Sequence, residues 1–86
     1  MTVRYQKSFT NQFKKLPPKQ RIKVAVIVEI FAQDPDDSVL RNHALKGEWF
    51  GYHSISAGGD IRLHYRILDD QTVLFVAVGS HSQLYQ

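Results

Sequence analysis

The chain has no cysteine among its 86 residues, which excludes disulfide staples and thiolate metal sites and fits a reducing compartment, the cytoplasm. It also lacks a long apolar run. The longest, Val24 to Val28 resuming past Glu29 to Ala32, falls far short of the roughly 20 residues that span a bilayer. The opening stretch MTVRYQKSFTNQF has no apolar core of a secretory signal, so a soluble protein with no membrane partner is expected. No pair of potential ligands shows a metal-site spacing such as H-E-x-x-H, and neither metal nor other cofactor is expected. Repeats, low-complexity tracts and linkers are absent too. The length then allows one domain, residues 1–86, and no second.

What is present argues for a packed globule. Apolar residues make up 43%, with five phenylalanines, four tyrosines and one tryptophan. A chain this short buries only about 60–65% of its unfolded surface, so a covering partner would help it. The net charge is +3 and the isoelectric point near 9.4. Five of the eleven basic residues, Lys14, Lys15, Lys19, Arg21 and Lys23, fall within ten positions that hold no acid. Such a cluster attracts polyanions, although a plain solvated helix face has the same composition.

Thr2 to Lys7 alternates as a short strand, and Ser8 or Thr10 can cap a helix carrying Phe9, Phe13 and Leu16. Pro17-Pro18 ends that helix and starts another. Lys19 to Gln33 is rich in β-branched residues, yet it is far longer than an ordinary strand of about 5–6 residues and reads as a helix. Ile22, Ala25, Val26 and Ile30 form its expected inward stripe. Asp34-Pro35-Asp36-Asp37 breaks the chain. Three strands follow, Trp49–Ser56, Asp60–Leu68 and Thr72–Val78, joined by turns at Ala57-Gly58-Gly59 and Asp69-Asp70-Gln71 and followed by a short tail. In the middle strand Ile61, Leu63, Tyr65 and Ile67 point one way, and Asp60, Arg62, His64 and Arg66 the other. The expected architecture is α+β, a two-layer β-α-α-β-β-β arrangement. Its two N-terminal helices cover the apolar face of a small, largely antiparallel sheet, and a C-terminal turn or short helix completes it.

The polar face holds an inventory for metal-free RNA cleavage. A base must take the ribose 2′ proton, cations must stabilise the phosphorane, and an acid must protonate the departing 5′ oxygen. Imidazole, with a reference pKa of about 6.5, suits both proton transfers. Asp60, Arg62, His64 and Arg66 share the strand, with His43 and His81 just outside the sheet. Pairing of the last two strands would bring His81 to the Asp60–Arg62 end. Each residue also has an ordinary reading: Asp60 as turn chemistry, Arg62 and Arg66 as solvated edge positions, and a lone histidine as a plain polar residue.

Three segments, in order, resemble a known family. Asn42-His43-Ala44-Leu45-Lys46-Gly47-Glu48-Trp49-Phe50-Gly51-Tyr52 is similar to the D-H-x-L-x-G-x-W-x-G-Y segment of YafQ-like toxins of the RelE superfamily. Asp60-Ile61-Arg62-Leu63-His64-Tyr65-Arg66 resembles their D-x-x-L-x-Y-[KR] strand, and Gly79-Ser80-His81-Ser82-Gln83-Leu84-Tyr85 their G-[ST]-H-x-x-L-[FY] ending. The N-terminal half matches only in the order of elements and in its basic helices. The resemblance implies the RelE-like fold and a ribosome-dependent endoribonuclease that cuts messenger RNA in the A site, leaving a cyclic phosphate and a 5′-hydroxyl. It implies His43, Asp60 and His81 as the catalytic set, with His81 as acid and His43 or Asp60 as base, and Tyr85 as a supporting or stacking aromatic. Arg62, from its location, is a candidate for phosphate stabilisation, with His64 and Arg66 beside it. Lys14, Lys15, Lys19, Arg21, Lys23 and Lys46 are candidates for gripping ribosomal RNA. The implied partner is a cognate antitoxin, whose complex often binds operator DNA. One departure stands out: Ser56 occupies a place where the best-known member carries a histidine, leaving His53 and His64 as candidate replacements. The alternatives are a RelE/ParE-fold toxin without nuclease activity that binds another target, and a nucleic-acid-binding module acting through the basic helix alone.

Overall fold

Pro17-Pro18 divides the N-terminal helical region of the computed structural model, which describes residues 1–85. Strand β1 (Thr2–Tyr5) leads into α1 (Lys7–Lys14), and α2 (Pro18–Gln33) begins on the second proline. Proline is harmless at this place because the first helical turn needs no N–H. Arg21 reaches back from α2 and donates to the Leu16 and Lys14 carbonyls at 2.9 and 3.3 Å, satisfying the frayed end of α1 with a cation. A 3-10 turn (Ser38–Leu40), β2 (His43–Ala44) and a second 3-10 turn (Gly47–Trp49) follow. They lead into β3 (His53–Ser56), β4 (Ile61–Asp69), β5 (Thr72–Ser80) and α3 (His81–Leu84).

The strands form one sheet ordered β1-β5-β4-β3-β2. β1 runs parallel to β5, and the other neighbours are antiparallel. The expected α+β architecture is thus observed, with helices packed on a five-stranded mixed sheet. Two features differ from the strand pattern read from sequence. The strand expected from Trp49 shrinks to β3, because Gly47–Trp49 winds into a 3-10 turn and Gly51 turns the chain at φ 94°. A short strand at His43–Ala44 extends the sheet beyond β3. Two residues carry no period, so no alternation announces it.

The core joins Phe9 of α1 and Val24, Ile27 and Phe31 of α2 to Ile55, Ile61, Leu63, Tyr65, Val73, Phe75 and Val78 of the sheet. Phe31 packs edge-on to both Tyr65 and Phe75, at centroid distances of 4.9 and 5.4 Å. The buried Tyr65 hydroxyl donates to Asn42 at 2.8 Å, so the phenol leaves no polar atom stranded.

The inward stripe of α2 is not the expected one. Ile22 and Val26 are 65% and 52% exposed, and Ala25 is also outside; only Ile30 packs partly against the core. Apolar residues surround most of this helix, so periodicity did not single out a face, and the bulk of Phe31 with Ile27 and Val24 decides the rotation. Ile67 is likewise exposed at 56%, although its partner Val73 on β5 is buried in the core.

Phe31→Ala is expected to lower unfolding free energy by about 3–5 kcal/mol in chemical denaturation. Val26→Ala should change it by no more than about 0.5 kcal/mol. Equal effects would refute this placement of the helix.

Candidate active site

Strand pairing carries the polar side chains to the sheet face away from α1 and α2. His43 opposes Ser54, Ser54 opposes His64, and Ser56 opposes Arg62. Directly opposed residues share a face, so His43, Ser54, Ser56, Arg62 and His64 lie on one side of the sheet. His53 opposes Tyr65 and stacks on it at 5.2 Å, on the helix-covered side. It therefore does not replace an imidazole at position 56. Arg66 is exposed two residues beyond His64.

At the other end of this face, Ile61 pairs with Ser80, and the His81 amide donates to the Asp60 carbonyl at 3.1 Å. The last strands bring His81 beside Asp60, as the sequence implied. Local chemistry holds it there. The Ser80 hydroxyl accepts from the Gln83 amide at 3.2 Å, while the Gln83 side chain accepts from the Ser80 amide at 2.8 Å, a reciprocal cap that starts α3 at His81. A Cβ at Gly79 would stand 2.9 Å from that same Gln83 oxygen, so glycine leaves the cap room.

His43 is exposed on β2, with Nδ1 2.8 Å from the Arg41 carbonyl. A carbonyl only accepts, so neutral His43 carries its proton on Nδ1 and presents the Nε2 lone pair outward. Arg62 donates through Nη1 to the Ser56 hydroxyl at 3.3 Å and to the Gly59 and Ile61 carbonyls at 3.0 Å each. Ser56 thus helps orient the Arg62 guanidinium.

His64, on the polar strand face beside Arg62, is not open to solvent. It is fully buried. Trp49 covers it edge-on at 4.3 Å, and the Tyr85 hydroxyl lies 3.1 Å from its Nε2. Burial first, and then the neighbouring His43 and His81, push its pKa down to about 4. His64 is therefore neutral at physiological pH and sits between the two candidate proton-transfer groups. Burial also raises the Tyr85 phenol, against a smaller opposing pull from Arg62.

Trp49 was missed as a site residue. Its indole donates to the Leu84 carbonyl at 3.1 Å, pinning α3 to the Gly47–Trp49 turn across 35 residues. The W within the first motif was the available signal, but a strand reading of that segment hid its role. Among the basic candidates, Arg21 is committed to capping α1, whereas Lys14, Lys15, Lys19, Lys23 and Lys46 are exposed. Among the described residues, no group of three or more His, Cys, Asp or Glu is arranged to hold a metal ion, and no helix is long and apolar enough to cross a membrane.

This arrangement of sheet, helices and C-terminal turn is the fold of RelE-superfamily toxins. YafQ from Escherichia coli strain BL21(DE3) matches with a TM-score of 0.82 at 20% identity, over 98% of this chain and 97% of that one. A chain of the toxin–antitoxin complex RelBE2 from Mycobacterium tuberculosis is 30% identical with a TM-score of 0.76, over 93% and 96% of the two chains. A chain of the E. coli DinJ–YafQ complex is 23% identical with a TM-score of 0.71, over 98% and 97%. No curated protein matches the sequence. The family described as the bacterial toxin of type II toxin-antitoxin systems, YafQ, matches residues 1–86, and the chain belongs to it.

His64 makes stability depend on pH in a stated direction. Its folded pKa lies below the unfolded value of about 6.5, so the unfolded chain binds more protons between the two. Its contribution is complete above about pH 6.5 and is lost as pH falls toward 4, up to about 3 kcal/mol. Unfolding free energies at pH 7.5 and 4.5 should differ more in the wild type than in His64→Leu; an equal difference would show that His64 is not held neutral.

Proposed function

We propose that this toxin is a ribosome-dependent endoribonuclease that cuts messenger RNA in the A site by acid–base catalysis without a metal. The observation that supports the reading is that His43, Arg62 and the Asp60–His81 end lie around the buried His64 on one sheet face. Both His43 and His81 lie near enough to the buried His64 to disfavour a charge on it. His43 Nε2 removes the proton from the ribose 2′ hydroxyl, whose oxygen attacks the adjacent phosphorus. The bond from phosphorus to the 5′ oxygen breaks, and His81 gives that oxygen a proton. The products are a 2′,3′-cyclic phosphate and a 5′-hydroxyl. Arg62 offsets the charge that builds on phosphorus, and Asp60 orients substrate or imidazole from the same turn. Exposed Lys14, Lys15, Lys19, Lys23 and Lys46 supply contacts to ribosomal RNA phosphates. The cytoplasm, where ribosomes and messenger RNA are, is the matching compartment.

The partner in this reading is an antitoxin, as DinJ is for YafQ in the solved complex. A shallow groove of about 940 Å³ between α2 and the Ser38–Leu40 turn is lined by Ile22, Val26, Ile30 and Val39, with Lys23 and Arg41 as its charged residues. That chemistry fits an acidic amphipathic segment that folds as it docks.

Transcript ends mapped after induction should show discrete cuts for the wild type, carrying 5′-hydroxyls. His81→Ala should abolish them, with a loss of at least about 100-fold in single-turnover rate on programmed ribosomes. Growth arrest without cuts would favour a toxin that binds another target. Replacing Lys14, Lys15 and Lys19 together should weaken ribosome binding and flatten its salt dependence by about two to three in log–log slope. Loss of toxicity in that triple variant together with full toxicity of His81→Ala would favour a binding module instead.

A further inference from the structure

His64 is an unusual occupant for the middle of a buried strand. Its side chain is fully buried, yet Nδ1 has no hydrogen-bond partner, and the same holds for Oγ of Ser54, directly opposite on β3. A stranded polar atom destabilises the fold, a cost that a leucine at this position would avoid. Nothing in core packing requires the imidazole. What it does make is one directed contact: Nε2 lies 3.1 Å from the Tyr85 hydroxyl, and phenol, the stronger acid of the two, donates. The Tyr85 ring in turn lies against His81, with centroids 4.5 Å apart and planes tilted by 34°.

We propose that His64 is a positioning residue whose neutral imidazole accepts the Tyr85 phenol and so fixes the Tyr85 ring, and through it the His81 imidazole. The inference rests on the nuclease reading for the catalytic part played by His81. The Tyr85 amide donates to the His81 carbonyl at 3.0 Å and the Trp49 indole holds the Leu84 carbonyl, but both bonds fix backbone and leave the phenol free to turn. The His64 contact removes that freedom. Every element around His64 favours its neutral form: Trp49 covers it from the 3-10 turn, and Ala77 opposes it from β5. His43 of β2 and His81 of α3 disfavour a second positive charge, and Arg62 stands two residues away on the same strand face. The neutral form is the one that can accept from the phenol.

The test uses the whole chain as His64→Leu, Tyr85→Phe, the double variant, and His64→Gln, which retains an acceptor. Three readouts are thermal unfolding at pH 7.5, titration of the His81 ring by NMR in the free protein, and single-turnover cleavage. Unfolding of His64→Leu within about 2 °C of the wild type is expected, because a stranded atom disappears with the hydrogen bond. The His81 titration midpoint should move in the same direction in both single variants, with no further shift in the double. The maximal rate should fall about tenfold or more with KM unchanged, and His64→Gln should restore part of it. An unaltered His81 titration in His64→Leu, or additive shifts in the double variant, overturns the proposal. So does a fall of the unfolding temperature by about 10 °C or more, the mark of a plain packing residue. Absence of cleavage by the wild type sinks the nuclease reading alone, and the His81 titration then decides whether His64 acts through Tyr85.

Discussion

Register between β4 and β5 is the constraint on which the site depends. Ile61 opposite Ser80 places the Asp60 turn beside His81, and Leu63 opposite Val78 keeps the apolar side of both strands against the helices. Side chains alternate with a period of two, so a one-residue slip would send Leu63 and Tyr65 to solvent and bury Arg62. The cost of that exchange pins the register, and the site inherits its geometry from the core. β5 also carries the parallel strand β1, so the crossover through α1 and α2 returns the helices to the side opposite the site. The helical layer then buries one face, and Trp49 and Tyr85 cover His64 in the middle of the other.

The C-terminal turn is fastened more elaborately than its four residues would suggest. The reciprocal Ser80–Gln83 cap sets where it starts, the His81 amide ties it to the Asp60 carbonyl, and the Trp49 indole holds its last carbonyl. The His64–Tyr85 contact adds a fourth restraint. So short a helix cannot sustain itself by its own hydrogen bonds, because nucleation fixes several dihedrals for each bond gained. Its order comes from tertiary ties, and these link the two regions that carry the histidines.

The same economy accounts for the apolar exterior of α2. A helix that is apolar almost all round must leave one side uncovered when it packs on a single sheet. Here Val24, Ile27 and Phe31 take the sheet, and Ile22 and Val26 remain outside with Val39. An uncovered apolar strip of this kind suits membership of a toxin family with a solved toxin–antitoxin complex among its relatives.

The residues alone determined the class of fold, because alternation in Asp60–Leu68, the glycines after Ala57 and the paired prolines are local signals with local causes. They also determined the family, through three motifs in order, and the pairing of His81 with the Asp60 end follows once two neighbouring strands are antiparallel. Three matters were decided only in three dimensions. Which side of α2 turns inward depended on fitting the largest side chain, and a helix apolar all round carries no record of that choice. The two-residue strand at His43 exists only because β3 offers it an edge. The burial of His64 depended on Trp49 and Tyr85 arriving from 15 residues upstream and 21 downstream, and no strand pattern encodes what lies on top of it.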